Sequence, residues 1–234
     1  MCTSFVHKGK DVIVGFNFDV DPKEWPYKIA KNKDGFFIMI NDGRRFRRHH
    51  GVNNKGEAGN LLYVKGCEEG KYSRGKDKVV LGGLVIRMLN FRDSFADLVE
   101  ITKTKKVVDT TFPTLHSLLS NRKGDVLIIE PGRGVKYDTT SPYSLMTNFA
   151  LFDRKGTEGR EGSGVDRYEL ATKILKEATD DFGPQEGMAL LKATHQEGKW
   201  GTKVSFIYSS NEHQVYYVEN NDFEHVQTFK LKEE

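Results

Sequence analysis

Cys2 is the residue whose placement bears most directly on chemistry. A cysteine there is small enough to let the initiator methionine be trimmed, which would make it the new N-terminal residue. It would then carry a free α-amine, with a reference pKa of about 7.7–8.0, beside a thiol with a reference pKa of about 8.5. The two groups together form a nucleophile with its own base on one residue. Taken alone, a cysteine after methionine is also what chance supplies.

Other residues offer weaker chemistry. Arg44, Arg45, Arg47, Arg48, His49 and His50 form a run that could meet phosphates or an anionic acyl group. Such a run reads more simply as a solvated hairpin with alternate side chains outward. His49 and His50 with His116 or His195 lack diagnostic metal-ligand spacing. The stretches PGRG (131–134) and GREGSG (159–164) lack the strand-to-helix setting of phosphate loops and read as turns. Cys67 reads as a loop or packing thiol. With only Cys2 and Cys67 in the chain, a disulfide framework is not expected, and a reducing, cytoplasmic home is.

The elements that must position these groups are legible in outline. Thr3–His7, Asp11–Phe18, Leu61–Lys65 and Asp125–Glu130 read as strands, as do Lys203–Ser209, Gln214–Val218 and Val226–Leu231. The apolar run Phe36–Ile40 is the pattern of a strand buried on both faces. Val79–Asn90 and Ser94–Thr102 suit helices, the second with Ser94 as N-cap and Asp97 three residues on. Val165–Phe182 is the clearest helix, with Tyr168, Ala171, Ile174, Leu175 and Ala178 on one face. Gly183-Pro184 stops it and Gln185–Thr194 follows as another. Thr114–Ser120 fits either helix or strand. Strands, then helices, then strands predict an α+β fold with two sheets faced by helices.

The chain has 234 residues, 29% charged and 37% hydrophobic, an ordinary globular balance. A net charge of +3 does not make a nucleic-acid binder, which usually shows a concentrated basic face. No signal peptide is expected from MCTSFVHKGKD, and no membrane insertion. The most apolar stretch, Val79–Leu89, is too short to span a bilayer and contains Arg87.

Five further motifs follow Cys2 in order. Cys-Thr-Ser leads into a strand and then Gly15-Phe16-Asn17-Phe18-Asp19 at a strand end. Next come Asn53-Asn54-Lys55-Gly56, then Leu115-His116 leading to Gly124 and a strand ending in Glu130, then Thr147-Asn148, then Asp166-Arg167-Tyr168. This series resembles the choloylglycine hydrolase family, which includes bile salt hydrolases and penicillin V acylases and has acid ceramidase-like relatives. The resemblance spans almost the whole chain. It implies one domain, 1–234, with the four-layer αββα sandwich of N-terminal-nucleophile hydrolases.

The resemblance also implies roles. Cys2 matches the nucleophile, attacking a linear N-acyl amide through a thioester. Asp19 matches the acid that accepts from the nucleophile's α-amine. Asn148 matches the oxyanion-hole asparagine. Tyr63 falls where a backbone N–H supplies the second oxyanion donor, with Asn60 as the other candidate in an uncertain register and core packing of Tyr63 left open. Arg167 matches an arginine near the thiol, which would stabilise a thiolate and help hold the substrate. No metal or organic cofactor is implied. A small-molecule N-acyl amide is the implied partner, and a homo-oligomer is left open.

One departure stands out. Most family members have an arginine where this chain has Phe16, so the site loses a charge that would help activate the thiol. The segment between Asn148 and Arg167 is also short, which predicts a smaller or more open acyl pocket. Three rivals follow: a catalytically silent ligand-binding protein of the same fold, an acyltransferase, and a nucleic-acid-associated protein using the arginine run.

Overall fold

A computed structural model describes residues 2–111, 113–152 and 164–233. Two antiparallel sheets dominate. The first is built from β1 Thr3–Lys8, β2 Val12–Asp19, β12 Tyr143–Met146, β13 Thr202–Ser209, β14 Gln214–Glu219 and β15 Gln227–Lys230. These six strands lie in the order β12-β1-β2-β13-β14-β15. The second is built from β3 Tyr27–Asn32, β4 Gly35–Asn41, β5 Phe46–Asn53, β6 Ala58–Tyr63, β9 Leu115–Ser120, β10 Val126–Glu130 and β11 Gly134–Asp138. Its seven strands lie in the order β11-β10-β9-β6-β5-β4-β3. A short parallel pair, β7 Lys78–Val80 and β8 Lys106–Val108, is joined by the crossover through α1 Leu81–Leu89 and α2 Phe95–Thr104. Helices α3 Val165–Glu177 and α4 Pro184–Ala193 precede β13.

Period-two alternation within apolar strands produces the layers. Phe36 and Ile38 face one way, into a core shared with Val14, Phe16, Phe206 and Tyr208 of the other sheet. Phe37 between them faces the opposite way, against Leu84, Val85 and Met88 of α1. Likewise Ile13 and Ile207 turn outward onto Ala171 and Leu175 of α3 and Leu190 and Leu191 of α4. Each sheet is therefore sandwiched between a partner sheet and a pair of helices, giving four layers, αββα. That double burial is why FFIMI is apolar without a break.

Several expectations need correction. The helix expected over Val165–Phe182 ends at Glu177. Residues 178–182 are drawn off by tertiary contacts: Lys10 N–H donates to Asp180 O at 2.8 Å, and Phe182 packs against Phe5 and His7. Val79–Asn90 divides into the end of β7 and helix α1. The open segment Thr114–Ser120 is strand β9. The arginine–histidine run is not a solvated hairpin throughout. Arg44 and Arg45 are exposed at its tip, but Arg48 lies over the Phe37 ring, pairs with Asp34 at 2.6 Å and donates to Leu89 O. The capping box at Ser94 and Asp97 forms as expected.

Among the described residues no helix is long and apolar enough to cross a membrane. Met1 and residues 159–163 of GREGSG, read above as a trimmed residue and a turn, lie outside the described residues, as does most of the short segment after Asn148.

Candidate active site

Strand register brings the site together. β1 and β2 pair antiparallel with Thr3 opposite Asn17, so the start of β1 and the end of β2 share one edge of the sheet. Cys2 and Asp19 therefore meet there, with the Cys2 Sγ 3.8 Å from Asp19 O. On the far side of β1, Ser4 pairs with Met146 of β12, which delivers Thr147 and Asn148 to the same edge. On the far side of β2, Thr202 of β13 pairs with Asp19 and its hydroxyl donates to Asp19 Oδ1 at 2.6 Å.

Arg167, in the first turn of α3, reaches into this cluster and is only 4% exposed. Its Nη1 donates to Cys2 O at 2.7 Å and to Thr3 Oγ1 at 2.9 Å, while Nη2 donates to Asn148 Oδ1 at 3.1 Å. Asp19 Oδ2 lies 3.8 Å from Nη1. A buried guanidinium needs such partners to offset lost hydration. Gly164, just before the helix, makes room: a Cβ there would sit 2.7 Å from Arg167 Nη2, and its φ of +95° suits glycine. Arg167 has the expected downward influence on the Cys2 thiol and further contacts besides. Its guanidinium grips the backbone of Cys2 and the amide of Asn148, positioning the two, and its downward pull on the Cys2 thiol ranks below the other influences there. Burial dominates that thiol and pushes its pKa up to about 11. Burial likewise raises Asp19 to about 7, against the opposing effects of the chain's N-terminal amine first, then the Thr202 hydrogen bond and Arg167.

Asn148 completes the link between sheets. Its Nδ2 donates to Tyr63 O, at the end of β6, at 2.7 Å. Orientation of the amide is therefore held at both ends, by Arg167 on oxygen and Tyr63 on nitrogen. Tyr63 is not a core residue, its side chain being 48% exposed. Asn60, the other candidate for a second oxyanion donor, is buried and donates instead to Ser4 Oγ, with its carbonyl accepting from Ser117.

Cys2, Asp19, Tyr63 and Asn148 all line one cavity of about 480 Å³. Its walls are otherwise mainly apolar, with Trp25, Ile40, Leu61, Leu115 and Trp200. Such a cavity, with a few convergent polar groups at one edge, is the usual form of a small-molecule site. Arg167 stands behind this edge. Phe16, in the place of an arginine, is fully buried and packs on Phe206 and His50. The thiol gains no cation from that position.

Sequence reasoning assigned no role to several residues that matter here. His116 Nδ1 meets Glu130 Oε1 at 2.9 Å and Nε2 meets Thr147 O at 2.6 Å, while Glu130 also accepts from the N–H groups of Leu151 and Phe152. This buried pair holds the chain on both sides of Asn148. Leu-His and the strand-end Glu were legible as motifs, but their pairing was not. Thr202 carried no signal, since a threonine in a strand is ordinary, and Thr3 was legible only as part of Cys-Thr-Ser, with no role of its own. His49 and His50, read as part of a charged run, line the cavity. The Asn53–Gly56 motif lies elsewhere and shapes a turn. Asn53 Oδ1 accepts from the N–H groups of Lys55 and Glu57, and Gly56 has φ +77°.

No family model matches this chain, and no curated protein matches its sequence. Solved structures do match. A conjugated bile acid hydrolase from Clostridium perfringens superposes with a TM-score of 0.68 at 14% identity, covering 98% of this chain and 92% of that one. Penicillin V acylase from Agrobacterium tumefaciens gives 0.64 at 16%, covering 94% and 83%. The Caenorhabditis elegans ortholog of N-acylethanolamine-hydrolyzing acid amidase gives 0.51 at 13%, covering 89% and 93%. At these identities the likeness shows the fold alone, a four-layer αββα sandwich. The neighbours come from the group of proteins that the sequence motifs resemble.

Proposed function

We propose that residues 1–234 form one cysteine N-terminal-nucleophile amidohydrolase domain acting on a linear N-acyl amide, with Cys2 exposed by removal of Met1. The observation that carries this reading is the convergence of Cys2, Asp19 and Asn148 at the polar edge of one apolar cavity. The structural neighbours are named as a hydrolase, an acylase and an amidase, which supports amide hydrolysis in general.

In this scheme the Cys2 sulfur attacks the acyl carbonyl, forming a carbon–sulfur bond. The thiol proton leaves during attack, and the α-amine of the same residue is the acceptor. Asp19 orients that amine. The negative charge on oxygen is met by the second N–H of Asn148, the first being held by Tyr63 O, together with a backbone N–H near Tyr63. Collapse breaks the carbon–nitrogen bond, the proton passes to the departing amine, and a thioester remains. Water then adds to the thioester, releasing the carboxylic acid and restoring the thiol. If a second amine reaches the thioester first, the same site is an acyltransferase. Two unpaired cysteines fit a cytoplasmic setting.

The second reading is a silent ligand-binding protein of the same fold, favoured by Phe16 where an arginine would assist the thiol. Mass spectrometry of the processed protein after incubation with N-acyl amides and a thiol-reactive probe separates the two. An acyl adduct on Cys2, absent in Cys2→Ala, supports the amidohydrolase. A native protein that keeps Met1, or a free-amine Cys2 that stays unlabelled, sinks it.

A further inference from the structure

His49 and His50 take no part in the chemistry above, yet both line the cavity that holds Cys2. Pairing of β4 with β5 slips here: Ile38 stands opposite His50 while Met39 stands opposite Arg48, leaving His49 as the extra residue. A bulge re-aims side chains and breaks strict alternation, so two neighbours in sequence can reach one cavity. His50 is only 2% exposed, stacked on Phe16 with ring centroids 4.9 Å apart and equally close to Phe18.

The proton on His50 can be assigned from its contacts. Nδ1 accepts from the Leu61 N–H at 3.1 Å. Burial, reinforced by His49, holds the ring well below the ordinary histidine pKa, so it is neutral. A neutral imidazole that accepts at one nitrogen donates at the other, which puts the hydrogen on Nε2. That nitrogen is buried and has no hydrogen-bond partner among the described residues, as is also true of His49 Nε2. Buried donors are rarely left unmet, and the walls around this one are mainly apolar. A metal reading finds no support, because no group of three or more candidate ligands exists among the described residues.

We propose that His50, through Nε2–H, is a specificity-determining residue that selects acyl groups carrying an accepting oxygen within an otherwise hydrocarbon chain. A ketone, hydroxyl or ether would serve. The proposal rests on the amidohydrolase reading for the identity of the cavity's occupant as an acyl group. A plain hydrocarbon chain would fill the cavity and leave the donor unmet, the arrangement by which hydrogen-bonding sites reject analogues lacking the polar group.

Calorimetric titration of the processed chain with decanoate, and with oxo-decanoates carrying the ketone at successive positions, tests this directly. At least one oxo-decanoate should bind about tenfold more tightly than decanoate, the scale of one well-made neutral hydrogen bond. His50→Phe keeps the aromatic stack and should bring the two affinities level without weakening decanoate. His50→Gln should retain part of the preference. Equal affinities in the native chain, or a preference that survives His50→Phe, would overturn the proposal. Should His50→Phe fail to fold, the native chain with nitrogen-labelled histidine gives the answer: the His50 Nε2–H resonance must move with the favoured oxo-decanoate and not with decanoate, and an unmoved resonance overturns it. The titration needs no turnover. A preference without hydrolysis of the matching amides supports the selectivity and sinks the amidase, whereas hydrolysis without preference does the reverse.

Discussion

Two buried polar clusters in this molecule use similar residues to opposite ends. At the β5–β6 turn, Glu57 Oε2 accepts from Asn53 Nδ2 at 2.9 Å and Oε1 from the Phe95 N–H at 2.8 Å, where α2 begins. Asn53 also bonds to the backbone of its own turn, at Lys55 and Glu57. Complementary groups meet, and the carboxylate anchors a helix N-terminus to a turn. At the Cys2 edge, by contrast, burial raises both the thiol and the Asp19 carboxyl, to about 11 and about 7. There the polar groups border a cavity that a substrate would fill. A cluster that satisfies itself stabilises the fold. One that holds groups away from their preferred protonation state is suited to reaction.

Substitutions at the two clusters should therefore separate activity from stability. The largest expected effect is at Cys2: Cys2→Ala should lower turnover of the best amide found by roughly 10⁴-fold or more, as nucleophile removal does elsewhere, with chemical-denaturation stability changed by only about 1 kcal/mol. Asn148→Ala should lower kcat by about 10²–10³-fold, the range for one oxyanion donor. It should also lower Tm, since Arg167 and Tyr63 O lose their partner, so turnover is best read per folded molecule. A loss confined to Tm would show that Asn148 is only a strut between sheets. Glu57→Ala should do the reverse. Urea titration should show a loss of about 1–3 kcal/mol, because the Asn53 amide and the Phe95 N–H lose their acceptor. The kcat per folded molecule should hold, and a fall in kcat with unchanged stability would erase the distinction between the clusters.

Asp19→Asn sharpens the contrast through pH. The unfolded carboxyl ionises near 3.8, whereas the folded one holds its proton to about 7. Between those values the unfolded chain binds fewer protons than the folded one, so stability falls as pH rises, and the full penalty is present above pH 7. Asparagine removes that slope. The Tm difference between variant and parent should therefore be more favourable to the variant at pH 8 than at pH 5, while activity drops at both. A pH-independent difference would mean that Asp19 is ionised throughout.

How much of this could be read in the sequence depended on range. Doubly buried strands such as Phe36–Ile40 were legible because an unbroken apolar run of five residues can escape water only inside the layers of a fold. The cap at Ser94 was legible because capping is local. Strands Tyr27–Asn32, Phe46–Asn53 and Tyr143–Met146 were not read. The first is a half-exposed edge strand, the second is polar and bulged, and the third is short. The premature end of α3 was illegible for another reason: Val165–Phe182 has helical periodicity to its end, and the contacts of Asp180 and Phe182 with residues more than a hundred positions earlier override it.

The candidate site divides the same way. The residues Cys2, Asp19, Asn148 and Arg167 could be nominated from the sequence by their types and by ordered motifs, and the sequence alone determined what chemistry they could attempt. Only the tertiary structure decided that Arg167 grips the Cys2 carbonyl and not its sulfur, that Asn148 is held by Tyr63, and that His116 with Glu130 secures the chain beside it. It alone turned His49 and His50 from a charged run into a cavity wall. Such outcomes depend on strand register, on a one-residue bulge and on burial. These are set by packing between segments far apart in the chain, and no local pattern encodes the distance at which two side chains finally meet.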